Sequence, residues 1–109
     1  MAKMKLTAEH KRYHKWVMDY FGCQVPQCLE TNTQFHHVYQ PHKINQRGGE
    51  QLKPTLKKNH WYGVSLCQHH HAIYHDQLTD FDKYEKKYGI DQIWSARHNL
   101  WCYEKGIGQ

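Results

Sequence analysis

One short stretch of the chain concentrates side chains that bind metals. Four histidines and a cysteine lie within the nine residues Cys67-Gln-His-His-His-Ala-Ile-Tyr-His75, and thiolate and imidazole are the groups that suit zinc and its neighbours best. A tight turn can present Cys67 and His70 to one ion, and a helix projects His71 and His75 from one face. The stretch therefore predicts two adjacent metal sites, a closed structural one and an open one that does chemistry.

A second pair of zinc-type ligands comes earlier in the chain. Cys23 and Cys28 flank a turn that contains a proline. Two such pairs, separated by a few tens of residues, are typical of a four-coordinate structural zinc site. The alternative is that Cys23 and Cys28 are buried free thiols. Spacing leaves three candidates for the histidine that completes the set: His69, His70 and His71.

Two predicted strands must bring these pairs together. The segment 34–39 is short, rich in β-formers and bounded by Asn and Pro, and the segment 61–66 is a second strand, antiparallel to the first. The second strand delivers Cys67 to a helix that runs from His69 to about Gln77. Adjacent strand residues point to opposite faces, so His36 and His37 cannot simply share one metal ion.

Helices are predicted on both sides of this unit. Thr7 is a plausible N-cap for a helix that ends at Gly22. Its apolar face is predicted to contain Tyr13, Trp16, Val17 and Tyr20, and its opposite, solvated face Lys11, Arg12, His14 and Lys15. Asp80 starts a further helix that Gly89 ends, and Asp91 caps a last helix through about Trp101. We expect a frayed tail from Lys105 and a half-buried Cys102 that is not a ligand.

Composition favours a nucleic-acid partner. The 109 residues carry 15 Lys and Arg against 10 Asp and Glu, a formal charge of +5, which suits a polyanion. We expect one domain, 1–109, which is small enough for a bound structural metal ion to contribute to its stability. The start of the chain lacks the apolar run of a signal peptide, and no stretch is long enough to span a membrane. These features predict a cytoplasmic protein with no membrane association. They leave both a monomer and a homodimer open.

A basic segment separates the two predicted strands. Residues 40–60 contain Gly48-Gly49, and long loops in small domains are usually functional. Such a segment suits phosphate contacts. Its five candidate DNA-binding residues are Lys43, Arg47, Lys53, Lys57 and Lys58.

In this order of motifs the chain resembles the HNH or ββα-metal nucleases, specifically the zinc-stapled type of phage and prophage recombination nucleases. The motifs are Cys-x4-Cys, a strand with His-His, the glycine-containing basic segment and Leu-Cys-x2-His-His-x3-His. The similarity covers roughly residues 16–100. It implies an α+β fold with a small ββα-metal core, in which a β-hairpin packs on a helix between N- and C-terminal helices, and one structural zinc.

The resemblance also implies a role for each motif residue. Cys23, Cys28, Cys67 and His70 would hold the structural Zn²⁺, and His36, His71 and His75 a catalytic divalent metal. His37 would be the general base, with Asn59 or His60 near the position of a polar orienting residue. Two departures from the commoner pattern are His70 in place of a cysteine and His36 in place of an aspartate. Neither prevents metal binding.

The implied activity is metal-dependent hydrolysis of DNA phosphodiester bonds in phage or prophage recombination. Three imidazoles favour Zn²⁺, Ni²⁺ or Mn²⁺ as the catalytic ion, and Mg²⁺ is less favoured because it prefers oxygen ligands. Two other functions are compatible with the composition. One is a non-catalytic, zinc-stabilised DNA-binding module, and the other is a metal-storage or interaction protein. The second of these gives no reason for paired histidines on a strand beside a helical i, i+4 pair.

Overall fold

The described part of the chain has an α+β fold, with a two-stranded antiparallel hairpin and four helices. The computed structural model describes residues 6–38 and 60–109. Along these residues the elements are α1 (Ala8–Phe21), β1 (Thr33–His37), β2 (Gly63–Cys67), α2 (Gln68–Asp76), α3 (Phe81–Tyr88) and α4 (Gln92–Glu104). Within the same two ranges, no helix combines the length and hydrophobicity that crossing a membrane requires.

The hairpin aligns the start of β1 with the end of β2. Thr33 lies opposite Cys67 and His37 opposite Gly63, in the antiparallel arrangement that the sequence predicts. Both strands lie one or two residues away from the predicted bounds, because Trp61 and Tyr62 belong to the turn before β2. The backbone N–H of Val38 donates to the carbonyl oxygen of Tyr62 (3.1 Å) and closes this end of the hairpin.

Much of the predicted basic loop falls in residues 39–59, which the structure does not describe. The five predicted DNA-binding residues are therefore outside the described residues: Lys43, Arg47, Lys53, Lys57 and Lys58. Asn59, one of the two candidates for an orienting residue, is outside them as well.

Helix α1 begins and ends where the sequence predicts. The Thr7 hydroxyl accepts from the backbone N–H of His10 (3.2 Å), and Nδ1 of His10 accepts from the backbone N–H of Thr7 (3.0 Å). This is a capping box in which a histidine replaces the usual Glu or Gln. Gly22, at φ 64°, follows the last turn.

The buried face of α1 differs from the predicted one. Its buried residues are His10, Tyr13, His14 and Val17. Tyr20 is 49% exposed, and His14, predicted on the solvated face, is buried. The prediction was wrong because it treated histidine as a surface residue. Here the ring of Phe35 stacks on His14 at 3.7 Å between centroids, which buries the imidazole against β1.

The remaining caps match their predictions, but the C-terminus does not. Asp80 and Asp91 cap α3 and α4, and Gly89 ends α3 in the left-handed conformation. Helix α4 continues to Glu104, three residues beyond the predicted end. The predicted frayed tail is instead hydrogen bonded to α4, because the N–H of Ile107 donates to the carbonyl of Cys102 (3.1 Å).

An amide pair, half-buried at Gln24 and fully buried at Asn99, connects the segment after α1 to the hairpin and α4. Gln24 Oε1 accepts from the backbone N–H of Ser65 (3.0 Å) and from the amide of Asn99 (2.8 Å). The same Asn99 amide donates to the carbonyl of Gly63 (3.1 Å). These bonds fix the Cys23–Cys28 turn beside β2, which is where Cys67 is located.

The apolar core lies between the hairpin and helices α2 to α4, and Leu66 is at its centre. Leu66 is fully buried, whereas Leu29 is 91% exposed.

We expect Leu66→Ala to lower the free energy of unfolding by about 2–5 kcal/mol, since it leaves a cavity. Leu29→Ala, the matched control, should change it by less than about 0.5 kcal/mol. Urea unfolding of the zinc-loaded proteins measures both, and equal midpoints for the two variants would contradict this account of the core.

Candidate metal centres

Three groups of cysteine and histidine side chains converge among the described residues. In each group the candidate ligand atoms lie within 4.8 Å of one another. The groups are Cys23, Cys28, Cys67 and His70; His36, His71 and His75; and His14, His37 and His60. The sequence predicts the first two groups, and the third is new.

The first group fits a closed zinc site. Sγ of Cys67 is 3.2 Å and Sγ of Cys23 3.6 Å from Nδ1 of His70. Tetrahedral zinc with ordinary bond lengths separates a sulfur and a nitrogen ligand by about 3.5 Å. All the cysteines of the group are free thiols. Of the three histidines that spacing allowed, His70 is the one that lies with the cysteines, so the donor set is compatible with a structural metal.

Local backbone structure explains why these four side chains meet. Gln27 has a positive φ of 71°, and the N–H of Cys28 donates to the carbonyl of Val25 (3.0 Å), which forms a tight knuckle. Cys67 is both the last residue of β2 and the N-cap of α2, and its Sγ accepts from the backbone N–H of His70 (3.4 Å). The hydroxyl of the fully buried Tyr84 donates to the His70 carbonyl (2.8 Å) and holds α3 against this turn.

Burial controls protonation in this group. It raises the pKa of Cys23 to about 12, although backbone N–H groups of Cys67 and Val25 favour the thiolate. The pKa of His70 is lowered, first by burial and then by the charge of His69. Because zinc binds the thiolate, metal binding here displaces protons and its affinity falls as pH falls.

The second group is open to solvent on one side. Nε2 of His71 and Nε2 of His75 are 3.0 Å apart, close to the roughly 3.3 Å that two imidazole ligands of a tetrahedral ion require. The ring of His36 lies 5.2 Å from that of His71 and 5.7 Å from that of His75. His36 is buried, His71 half-buried and His75 exposed. An ion on these three nitrogens would keep an accessible position for a further ligand.

Two glutamines orient the imidazoles of this group. The Nε2–H of His36 donates to Oε1 of Gln92 (3.0 Å), and the Nδ1–H of His71 donates to Oε1 of Gln34 (2.6 Å). Each bond fixes a tautomer and leaves the other ring nitrogen with its lone pair for a metal. Sequence reasoning missed Gln92, a fully buried residue in the first turn of α4. Only tertiary packing brings it to His36, so no local signal could have identified it.

The two inner histidines of this group are neutral at physiological pH. Burial lowers the pKa of His36 to about 3, with a smaller contribution from the charge of His71 and an opposing one from the Gln92 bond. The pKa of His71 is lowered by burial and then by His75. Both imidazoles are therefore already in the form that binds a metal.

The third group lies on the other face of the hairpin. Along β1, Gln34 and His36 contact the α2 side, whereas Phe35 and His37 contact α1. This matches the predicted division between His36 and His37. Nε2 of His37 is 2.8 Å from Nδ1 of His60, which connects the predicted general base to one of its candidate orienting residues.

Cys102 lies outside the three groups. It is 4% exposed, more buried than predicted, and its Sγ is 3.4 Å from Nε2 of His98 on the preceding turn.

Comparison of the chain with protein-family models, with curated proteins and with solved structures gave no match. A function for the chain must therefore be argued from its own side chains.

We expect the stability of the fold to depend on a metal ion bound by the cysteine group. Cys28→Ser should lose the bound zinc and much of the cooperative unfolding transition, because a closed zinc site contributes folding energy directly. Cys102→Ser is the matched control and should keep both. Metal content by elemental analysis and thermal unfolding by circular dichroism measure the outcome. Full zinc content and parental stability in Cys28→Ser would show that this thiol is not a ligand.

Gln92 is not a metal ligand, but we expect it to affect the metal affinity of the open cluster through His36. Gln92→Leu removes the acceptor that fixes the His36 tautomer, and loss of such an outer partner typically weakens metal binding about 10–100-fold. Gln77→Leu, at the exposed end of α2, is the control and should leave affinity unchanged. Calorimetric titration with Zn²⁺ measures both, provided that the cysteine site is filled first. Equal affinities would exclude the orienting role.

Proposed function

We propose that the chain is a metal-dependent DNA endonuclease of the HNH type. The observation that carries the proposal is the open cluster of His36, His71 and His75, in which a buried strand histidine meets a helical i, i+4 pair. Closed sites stabilise folds, whereas catalytic metal sites keep a position for water or substrate. The partly exposed cluster therefore favours chemistry over a purely structural role.

The arrangement of elements supports the same proposal. A β-hairpin leads directly into α2, and the histidines of β1 and α2 meet where the two pack together. A ββα unit with a metal at this junction is what the resemblance to the HNH nucleases implies. The cysteine cluster lies at the start of α2, where the resemblance implies the structural zinc.

Phosphodiester hydrolysis requires an activated water, stabilisation of negative charge on the phosphate and help for the leaving oxygen. A divalent cation held by the three imidazoles would supply Lewis-acid stabilisation of that charge. His37, next to His36 in the chain and partly exposed, is the proposed general base. A neutral imidazole can take a proton from water near pH 7. His60, at 2.8 Å, would orient it.

DNA is the proposed substrate because the chain carries a net positive charge. The chain has a net charge of +5, and a polyanion is the partner that such a surplus attracts. The candidate phosphate contacts are the five basic residues named for the segment between the strands. DNA processing in phage or prophage recombination is the setting that the resemblance implies.

Substitutions can separate the ligands from the base. His71→Ala and His75→Ala should weaken metal binding at the open cluster and abolish cleavage. His37→Ala should leave binding at that cluster intact, read from the ring signals of His71 and His75 in NMR spectra. It should nevertheless lower the cleavage rate by about 10²–10⁴-fold, the usual effect of a positioned base. Cleavage of nicked, branched, single-stranded and duplex DNA with several divalent metals gives the rates.

Two results would count against the nuclease. Full cleavage by the double variant His36→Ala, His37→Ala would show that the histidines of β1 take no part in the reaction. DNA binding without any metal-dependent cleavage, on every DNA structure tested, would instead favour the non-catalytic zinc-stabilised DNA-binding module. His98→Ala, outside the three groups, controls for general effects of removing an imidazole.

A further inference from the structure

A second all-imidazole cluster lies on the face of the hairpin that α1 covers. His14 comes from α1, His37 from the end of β1, and His60 from the turn before β2. Their candidate ligand nitrogens lie within 4.8 Å of one another. Three imidazoles from three separate parts of the chain thus converge without any carboxylate in the set.

The dimensions of this cluster match those of the open one. Nε2 of His37 and Nδ1 of His60 are 2.8 Å apart, against 3.0 Å for the closest nitrogens of His71 and His75. Ring centroids are 5.0–6.0 Å apart here and 4.6–5.7 Å apart in the open cluster. Tetrahedral ligands about 2.1 Å from one ion stand about 3.4 Å apart, a separation between the shortest nitrogen–nitrogen distance of each cluster and its 4.8 Å upper limit.

Packing holds the rings of this cluster in place. His14 is buried, lies nearly parallel to Phe35 at 3.7 Å, and donates through Nε2–H to the carbonyl oxygen of His60 (2.6 Å). The ring of His60 also contacts that of the buried His10 at 5.1 Å. Side chains fixed by their surroundings lose little conformational entropy when they bind an ion.

We propose that His14, His37 and His60 bind a transition-metal ion. Three imidazole nitrogens suit Zn²⁺, Co²⁺, Ni²⁺ or Cu²⁺, and they do not suit Mg²⁺ or Ca²⁺, which require oxygen ligands. The ion would join α1 to both strands of the hairpin. It would also tie together the two ends of the segment between His37 and His60.

This site goes beyond the nuclease proposal and constrains it. A neutral imidazole has one nitrogen with a lone pair. Metal binding and proton abstraction by His37 both use that lone pair, so they exclude each other. An ion in this site therefore withholds His37 from catalysis.

Metal stoichiometry tests the proposal independently of cleavage. The full chain, depleted of metal and then titrated with Zn²⁺, should take up three equivalents, one for each group. His14→Gln and His60→Gln should each take up two, or bind the third at least about tenfold more weakly. The control His98→Gln should take up three. Calorimetry with elemental analysis of the saturated proteins gives the counts.

A measurement on the unaltered chain covers the case in which a variant fails to fold. Co²⁺ added after the cysteine site is filled with zinc should shift the ring protons of His14 and His60 in NMR spectra, as well as those of His71 and His75. Unshifted His14 and His60 rings in the parent, at Co²⁺ concentrations that shift the rings of His71 and His75, would overturn the proposal. This outcome leaves the nuclease proposal untouched, because no DNA and no variant of His37 enters the experiment.

Discussion

Alternation along a strand governs where every histidine of the hairpin can act. Neighbouring side chains of β1 point to opposite faces of the hairpin that the described residues form, and each face of this hairpin needs its own covering helix. Helix α2 covers the face of His36, and α1 covers the face of His37. The single dipeptide His36-His37 therefore takes part in two separate clusters, and a shift in register by one residue would exchange their positions.

The cysteine cluster and the open histidine cluster are mechanically linked through α2. Cys67 ends β2, caps α2 and belongs to the cysteine cluster, so the direction of the helix is set at that cluster. His71 and His75 lie on the first and second turns that follow. Gln92 then supports the open cluster from the other side, from a helix whose own position depends on the Gln24–Asn99 amide pair. The geometry of the open cluster thus depends on residues that are not among its ligands.

Local signals in the sequence were sufficient for most of the fold and for two clusters. The caps at Thr7, Asp80 and Asp91 are predicted from one or two residues each. The ligand pairs are predicted from their spacing, because the two members of each pair lie on one turn and are close together whatever the rest of the fold is. His14 and Gln92 could not be found in this way. Histidine is counted as polar in helical periodicity, yet His14 is buried by stacking on Phe35. Gln92 matters only through a contact 56 residues away along the chain.

The closure at Val38 and Tyr62 has a consequence for how such a protein can evolve. The bond between these two residues joins backbone atoms, so this end of the hairpin is closed without the use of any side chain. Lengthening a connection of this size costs only a few tenths of a kcal/mol of closure entropy, by about (3/2)RT ln n. Connections of different lengths between the strands are therefore compatible with this backbone bond, and this is one way in which such a chain can change while its strands stay paired.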